Sequence, residues 1–150
     1  MIRVHGTSIA IEQRAVLMRG PPGSGKSDLA LRLVDDGALL IADDQTELTL
    51  RDGQIFASPP APIAGRIEVR GLGVVALPTL DCAPLVLVVD LVPPGRVERL
   101  PDPHFCTYLD QEFPVLALAP FEASAPAKLR AALRLLARTG GLDFDCGDAS

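Results

Sequence analysis

Gly20-Pro21-Pro22-Gly23-Ser24-Gly25-Lys26-Ser27 fills every fixed position of the pattern G-x-x-x-x-G-K-[ST]. Ala15-Val16-Leu17-Met18 before it reads as a buried strand, and Ser27-Asp28-Leu29-Ala30-Leu31-Arg32-Leu33-Val34 after it reads as a helix. Strand, glycine-rich loop and helix in that order make a phosphate-binding loop. The glycines let backbone N–H groups close around phosphate oxygens, and the helix N-terminus adds the positive end of its dipole. Gly20 through Ser27 are therefore the candidate nucleotide-binding residues. Lys26 is expected to hold the β- and γ-phosphates, and the Ser27 hydroxyl to ligate Mg²⁺.

The helix is expected to end at Asp35-Asp36, with Gly37 in the C′ position. Leu39-Leu40-Ile41-Ala42 follows as a continuous apolar run, consistent with a buried parallel strand. Upstream, residues 2–4 and 8–12 read as two short strands around a Gly6-Thr7 turn. Downstream, Thr46, Leu48 and Leu50 alternate with polar residues up to the Asp52-Gly53 hairpin turn, and Ile55-Phe56 begins a return strand. Pro59-Pro60-Ala61-Pro62 marks a loop. Arg66-Ile67-Glu68-Val69-Arg70 has a period of two, with the charged residues on one face. Leu85 to Val89 is a second buried strand, Pro93-Pro94-Gly95 breaks the chain, and Val115 to Ala119 is a last core strand. A helix is expected from about Pro126 to Arg138, with Leu129, Leu133 and Leu136 facing the core and Arg130, Arg134 and Arg138 on a solvated face. The expectation is one α/β domain over residues 1–138, a P-loop-containing mixed sheet with flanking helices. Residues 139–150 read as a frayed acidic tail.

At 150 residues, with 48% hydrophobic and 22% charged residues, the chain can bury a core of its own. The net charge is −5, and no stripe of Lys and Arg is present. With no Trp and one Tyr, both the electrostatic footprint and the stacking platforms of nucleic-acid binding are missing. The three cysteines, Cys82, Cys106 and Cys146, show no metal spacing and suit a reducing compartment, with core packing expected of Cys82 and Cys106. No apolar run approaches the ~20 residues of a membrane span, and the N-terminus lacks a signal-peptide pattern. A soluble cytoplasmic protein is expected.

A phosphate-binding loop does not name the reaction. Two apolar strands end in aspartate, 39–42 at Asp43-Asp44 and 85–89 at Asp90, and either could supply the acid that supports Mg²⁺. The doublet distinguishes the first: one carboxylate can support the metal while its neighbour takes a proton from an attacking hydroxyl. A turn or cap doublet is the structural alternative. His5, judged alone, reads as a structural or exposed histidine.

Val4-His5-Gly6, the loop Gly20–Ser27, Leu40-Ile41-Ala42-Asp43-Asp44 and Ile67-Glu68-Val69-Arg70-Gly71-Leu72-Gly73 occur in an order and at intervals that resemble the catalytic domain of HPr serine kinase/phosphorylase. The resemblance runs over roughly residues 1–138 and is weaker in the later part. It implies a nucleotide-binding core similar to that of phosphoenolpyruvate carboxykinase, and ATP and Mg²⁺ as cofactors. The implied partner is an HPr-like phosphocarrier protein of the phosphotransferase system, phosphorylated on a seryl hydroxyl. A homo-oligomer is also implied, hexameric in the family. Carried over by position, Asp44 is the general base, Lys26 holds the transferring phosphate, and His5 is an active-site residue beside it. Ser27 and Glu68 are metal ligands, joined by Asp43 as the metal-supporting member of the doublet. Arg99 is the late catalytic arginine, and Arg70 belongs to the signature segment.

The chain departs from the family in three ways. It resembles a catalytic-domain-only form; Pro21-Pro22 stiffen the loop and remove two N–H donors. The segment Pro120-Phe121-Glu122-Ala123-Ser124-Ala125 has no arginine where the family loop associated with phosphorolysis is basic. Kinase activity with reduced or absent phosphorolysis is the expectation. The alternatives are a small-molecule or nucleotide kinase, for which no arginine-rich lid segment is present, and a non-catalytic nucleotide-sensing module.

Overall fold

Ala15, Val16, Leu17 and Met18 are all fully inaccessible to solvent, because the strand they form is covered on both faces. The computed structural model describes residues 1–60 and 65–139. In chain order the elements open with β1 (Ile2–His5), β2 (Thr7–Ile11), β3 (Arg14–Arg19), α1 (Lys26–Asp35) and β4 (Leu39–Ala42). The hairpin β5 (Gln45–Arg51) and β6 (Gln54–Ser58) comes next, and then the hairpin β7 (Arg66–Val69) and β8 (Gly73–Ala76). The chain continues through β9 (Ala83–Leu91), a 3₁₀ turn at Pro94–Arg96, β10 (His104–Tyr108), β11 (Gln111–Leu118) and α2 (Ala125–Thr139).

Among the described residues, nine strands form one curled mixed sheet, ordered β1-β5-β6-β9-β3-β2-β4, with β11 on β9 and β10 on β11. β9 is its hub. It runs parallel to β3 and to β11, and its first residues pair antiparallel with β6. The period-two alternation of the central strands sorts side chains to two apolar layers. Ile9, Val16, Met18, Leu87 and Val89 meet α1 and α2 through Leu29, Leu33, Leu129 and Leu133. Ala15, Leu17 and Val88 face the other side, against Ile41, Leu48, Ile55 and Phe113.

Several expectations are corrected. The run 39–42 is not a parallel neighbour of the strand before the loop: β4 is antiparallel to β2, which occupies the place beside β3. Gly6-Thr7 is not a hairpin turn. Thr7 opens β2, and β1 departs to pair with β5. The tight turn instead joins β2 to β3, with Glu12 and Gln13 both at positive φ (52° and 64°), the backbone of a two-residue hairpin turn. Leu109 and Asp110 repeat it between β10 and β11 (49° and 64°). That hairpin was not legible in the sequence, and the last core strand begins at Gln111 rather than Val115. The turn at Asp52-Gly53 forms as expected, as does the end of α1 at Gly37. Leu129 and Leu133 are buried as expected. Arg130 is not simply solvated: its guanidinium donates to the Leu33 and Asp36 carbonyl oxygens at the end of α1. Cys82 and Cys106 are only half-buried. The tail from residue 140, with Cys146, and the loop residues 61–64 lie outside the described residues.

Candidate functional site

The glycine-rich loop leaves β3 at Arg19 and enters α1 at Lys26. Its two prolines have a geometric use. The Ser24 N–H donates to the Pro21 carbonyl (3.0 Å), with Pro22 and Gly23 (φ 81°) between them. This is the arrangement of a type II turn, in which proline pre-sets the first central residue and glycine takes the positive φ of the second. Gly25 then caps α1 at φ 103°. A β-carbon there would stand 2.9 Å from both Phe121 Cζ and Pro120 Cγ, so conformation and space both require glycine. Lys26 folds back over the loop, its Nζ donating to the Gly20 (2.7 Å) and Pro21 (3.1 Å) carbonyls. The Ser24 hydroxyl is buried against Gly20, without a hydrogen-bond partner among the described residues.

The doublet closes the site from β4. Asp43 Oδ1 accepts from the Ser27 hydroxyl (3.1 Å) and from the Thr7 hydroxyl (3.0 Å). Thr7 Oγ1 in turn accepts from the Asp44 N–H (3.3 Å), and the Asp44 carbonyl accepts from the Gly6 N–H (2.9 Å). Asp44 is thereby held at φ 69°, a conformation that aspartate tolerates better than most residues. Its carboxylate is exposed, whereas Asp43 is half-buried. The other candidate acid is occupied elsewhere. Asp90 takes a two-pronged salt bridge from Arg19 (2.7 and 2.9 Å), whose remaining nitrogen reaches Tyr108 Oη (3.0 Å). The bonded Asp90 carboxylate pushes the Arg19 pKa further up from its ordinary value. Of the two acids, Asp43 meets the loop serine.

β7 and the residue that follows it supply the far wall. Ile67 is buried in the core against α1, while Glu68 is exposed on the opposite face of the strand. Glu68, Val69 and Arg70 line a cleft of about 500 Å³ together with Lys26, Ser27, Asp43 and Asp44. Thr7, Pro22, Gly23, Gly25 and Phe121 also line it. Most of the sequence-predicted residues thus converge. Gly20, Pro21 and Ser24 shape the loop without lining the cleft. His5 is exposed at the end of β1, outside the lining, although Gly6 beside it bonds the Asp44 carbonyl. Arg99 is exposed in the segment between the 3₁₀ turn and β10, and does not line the cleft.

Two residues were missed. Thr7 was hidden by the turn assigned to it, although Thr7-Ser8-Ile9-Ala10-Ile11 carries a readable strand pattern. Phe121 gives no sequence signal, because only the fold brings its loop to Gly25.

The oxygens offered by Ser27, Asp43 and Glu68 suit a hard cation. Among the described residues, no three His, Cys, Asp or Glu side chains form a closed cage. Magnesium sites on nucleotides are completed by phosphates and water and need only one or two carboxylates, so the donor set fits Mg²⁺.

Comparison with known proteins accords with this geometry. The profile described as "HPr Serine kinase C-terminal domain" matches residues 1–82, more than half of the 150 residues. The match takes in the loop, the aspartate doublet and the 67–73 segment, and stops short of Arg99. The HPr kinase/phosphorylase of Clostridium tetani is 37% identical over 78 residues, 52% of this chain and 26% of that protein. That of Listeria monocytogenes serotype 4a is 41% identical over 81 residues, 53% of this chain and 26% of the relative. The matched stretch therefore spans about a quarter of these relatives. In fold, the chain matches the solved structure of the Hpr(Ser) kinase/phosphatase from Coxiella burnetii with a TM-score of 0.79, covering 90% of each chain at 24% identity.

Proposed function

The chain belongs to the HPr serine kinase C-terminal domain family, and on that premise we propose that it transfers the γ-phosphoryl group of ATP to a seryl hydroxyl of an HPr-type phosphocarrier protein. The observation that carries this reading is the convergence of a complete phosphate-binding loop with Asp43, Asp44, Glu68 and Arg70 around one cleft.

The α1 N-terminus and loop N–H groups receive the phosphates, and Lys26 swings from the Gly20 and Pro21 carbonyls onto the transferring group. Ser27, Asp43 and Glu68 would hold Mg²⁺, which when bound neutralises charge on the phosphate oxygens. Asp44, exposed beside this set, takes the proton of the seryl hydroxyl as its oxygen bonds to the γ-phosphorus. The bond from that phosphorus to the bridging oxygen breaks, and ADP leaves. A positioned base of this kind contributes ~10²–10⁴-fold. Arg70 supplies positive charge at the cleft wall. His5 and Arg99 stand outside it, and their roles in the family would require movement or a neighbouring subunit.

The same reading includes a phosphoenolpyruvate-carboxykinase-like core, residues 1–138 as the catalytic unit, and assembly into a hexamer. Phosphorolysis is reduced or absent, since the 120–125 segment presents Phe121 rather than arginine to the cleft. The central test is incubation with ATP, Mg²⁺ and candidate HPr proteins, followed by mass analysis for phosphoserine. Turnover of free nucleotide with no labelled carrier would overturn the reading. Robust pyrophosphate release from the phosphorylated carrier and inorganic phosphate would overturn the phosphorolysis claim alone.

A further inference from the structure

Phe121 is 68% exposed, although the backbone that carries its ring is firmly tied. Arg32 of α1 donates to the carbonyl oxygens of Pro120 and Glu122 on either side of it. Lys128 of α2 fixes the Glu122 carboxylate (3.2 Å). The ring is therefore held at the cleft wall, its tip against Gly25, one residue before Lys26. Among the described residues it is the only aromatic lining that cleft. Held out of the core in this way, the ring leaves apolar surface open to water until a partner covers it.

The cleft thus pairs two chemistries. Lys26, Ser27 and Asp43 suit polyphosphate and its cation, and Phe121, packed on Gly25, adds an apolar aromatic ring to the same lining. We propose that Phe121 is the stacking platform for the base of the bound nucleoside triphosphate, an inference that rests on the nucleotide-binding part of the reading above. The polar side chains that hold the ring's loop are already committed. Arg32 is bonded to Asp28 as well as to the carbonyls, and Glu122 to Lys128. The base is therefore gripped by its face rather than read at its edge, so adenine and guanine nucleotides bind with affinities within several-fold of each other.

The test is titration calorimetry of the full chain with ATP, GTP and inorganic tripolyphosphate, on the wild type, Phe121→Ala and Phe121→Trp. Thermal melts check that each variant is folded. Base–aromatic stacking predicts that Phe121→Ala loses about 5- to 150-fold in affinity for both nucleotides. Tripolyphosphate affinity should be unchanged, and Phe121→Trp should restore nucleotide binding. Unchanged ATP affinity in Phe121→Ala would overturn the proposal and leave the ring free to meet the protein substrate. An equal loss for tripolyphosphate would overturn it too, showing that the ring only props the loop. A wild type that binds neither ATP nor tripolyphosphate would overturn the nucleotide-binding reading itself.

Discussion

At the scale of single residues, the two aspartates of the doublet differ in their surroundings. Asp43 is turned inward to two hydroxyls, while Asp44 is turned outward by a backbone held at positive φ. On the proposed role of Asp44 as the base, Asp44→Asn should keep ATP affinity within a few-fold in calorimetry and lower phosphoryl transfer by ~10²–10⁴-fold. Asp43→Ala releases the Ser27 and Thr7 hydroxyls together. It should raise the Mg²⁺ concentration needed for half-maximal activity while metal-free nucleotide binding persists. Gly25→Ala adds a β-carbon where φ is 103° and Phe121 and Pro120 are already within 2.9 Å. It should cost about 1–3 kcal/mol, read as a melting temperature several degrees lower.

At the scale of elements, the site is a junction of parts that are weak alone. The β7–β8 hairpin is a separate two-stranded sheet, anchored to the helix layer through Ile67. α1 is held at its C-terminal end by Arg130 of α2, and Arg32 in its last turn ties it to the Phe121 loop. Arg130→Ala removes donors from two helix-end carbonyls and should cost ~1–2 kcal/mol in urea unfolding, with little effect on m. Element existence was legible wherever period or turn chemistry was strong: β3, α1, the Asp52-Gly53 hairpin and α2. The Glu12-Gln13 and Leu109-Asp110 turns were not legible. Their residues carry no glycine or asparagine cue, and the positive φ values are imposed by the strands they connect.

At the scale of the whole molecule, the β3–β9 pair is the spine, covered by helices on one face and by the curled strands on the other. Leu17, fully buried in the second layer, tests that double cover. Leu17→Ala should lower unfolding free energy by ~2–5 kcal/mol in urea titration. Among the described residues, no helix is long and apolar enough to cross a membrane.

The sequence by itself determined the glycine-rich loop, the doublet and the period-two segment at 66–70. Each is written in local spacing, where backbone conformation follows from residue type within a few positions. Which neighbours those pieces acquire is a matter of distant pairing, and that was decided only in the tertiary structure. β2 entered between β3 and β4, bringing Thr7 to Asp43 across 36 positions of chain. Arg19 bonded Asp90 across 71 positions and so left Asp43 as the acid facing Ser27. The packing of the Pro120–Glu122 loop on Gly25 set an aromatic ring at the cleft. Long-range pairing depends on the summed burial of many side chains rather than on any local pattern, which is why these three contacts had no signature in the chain.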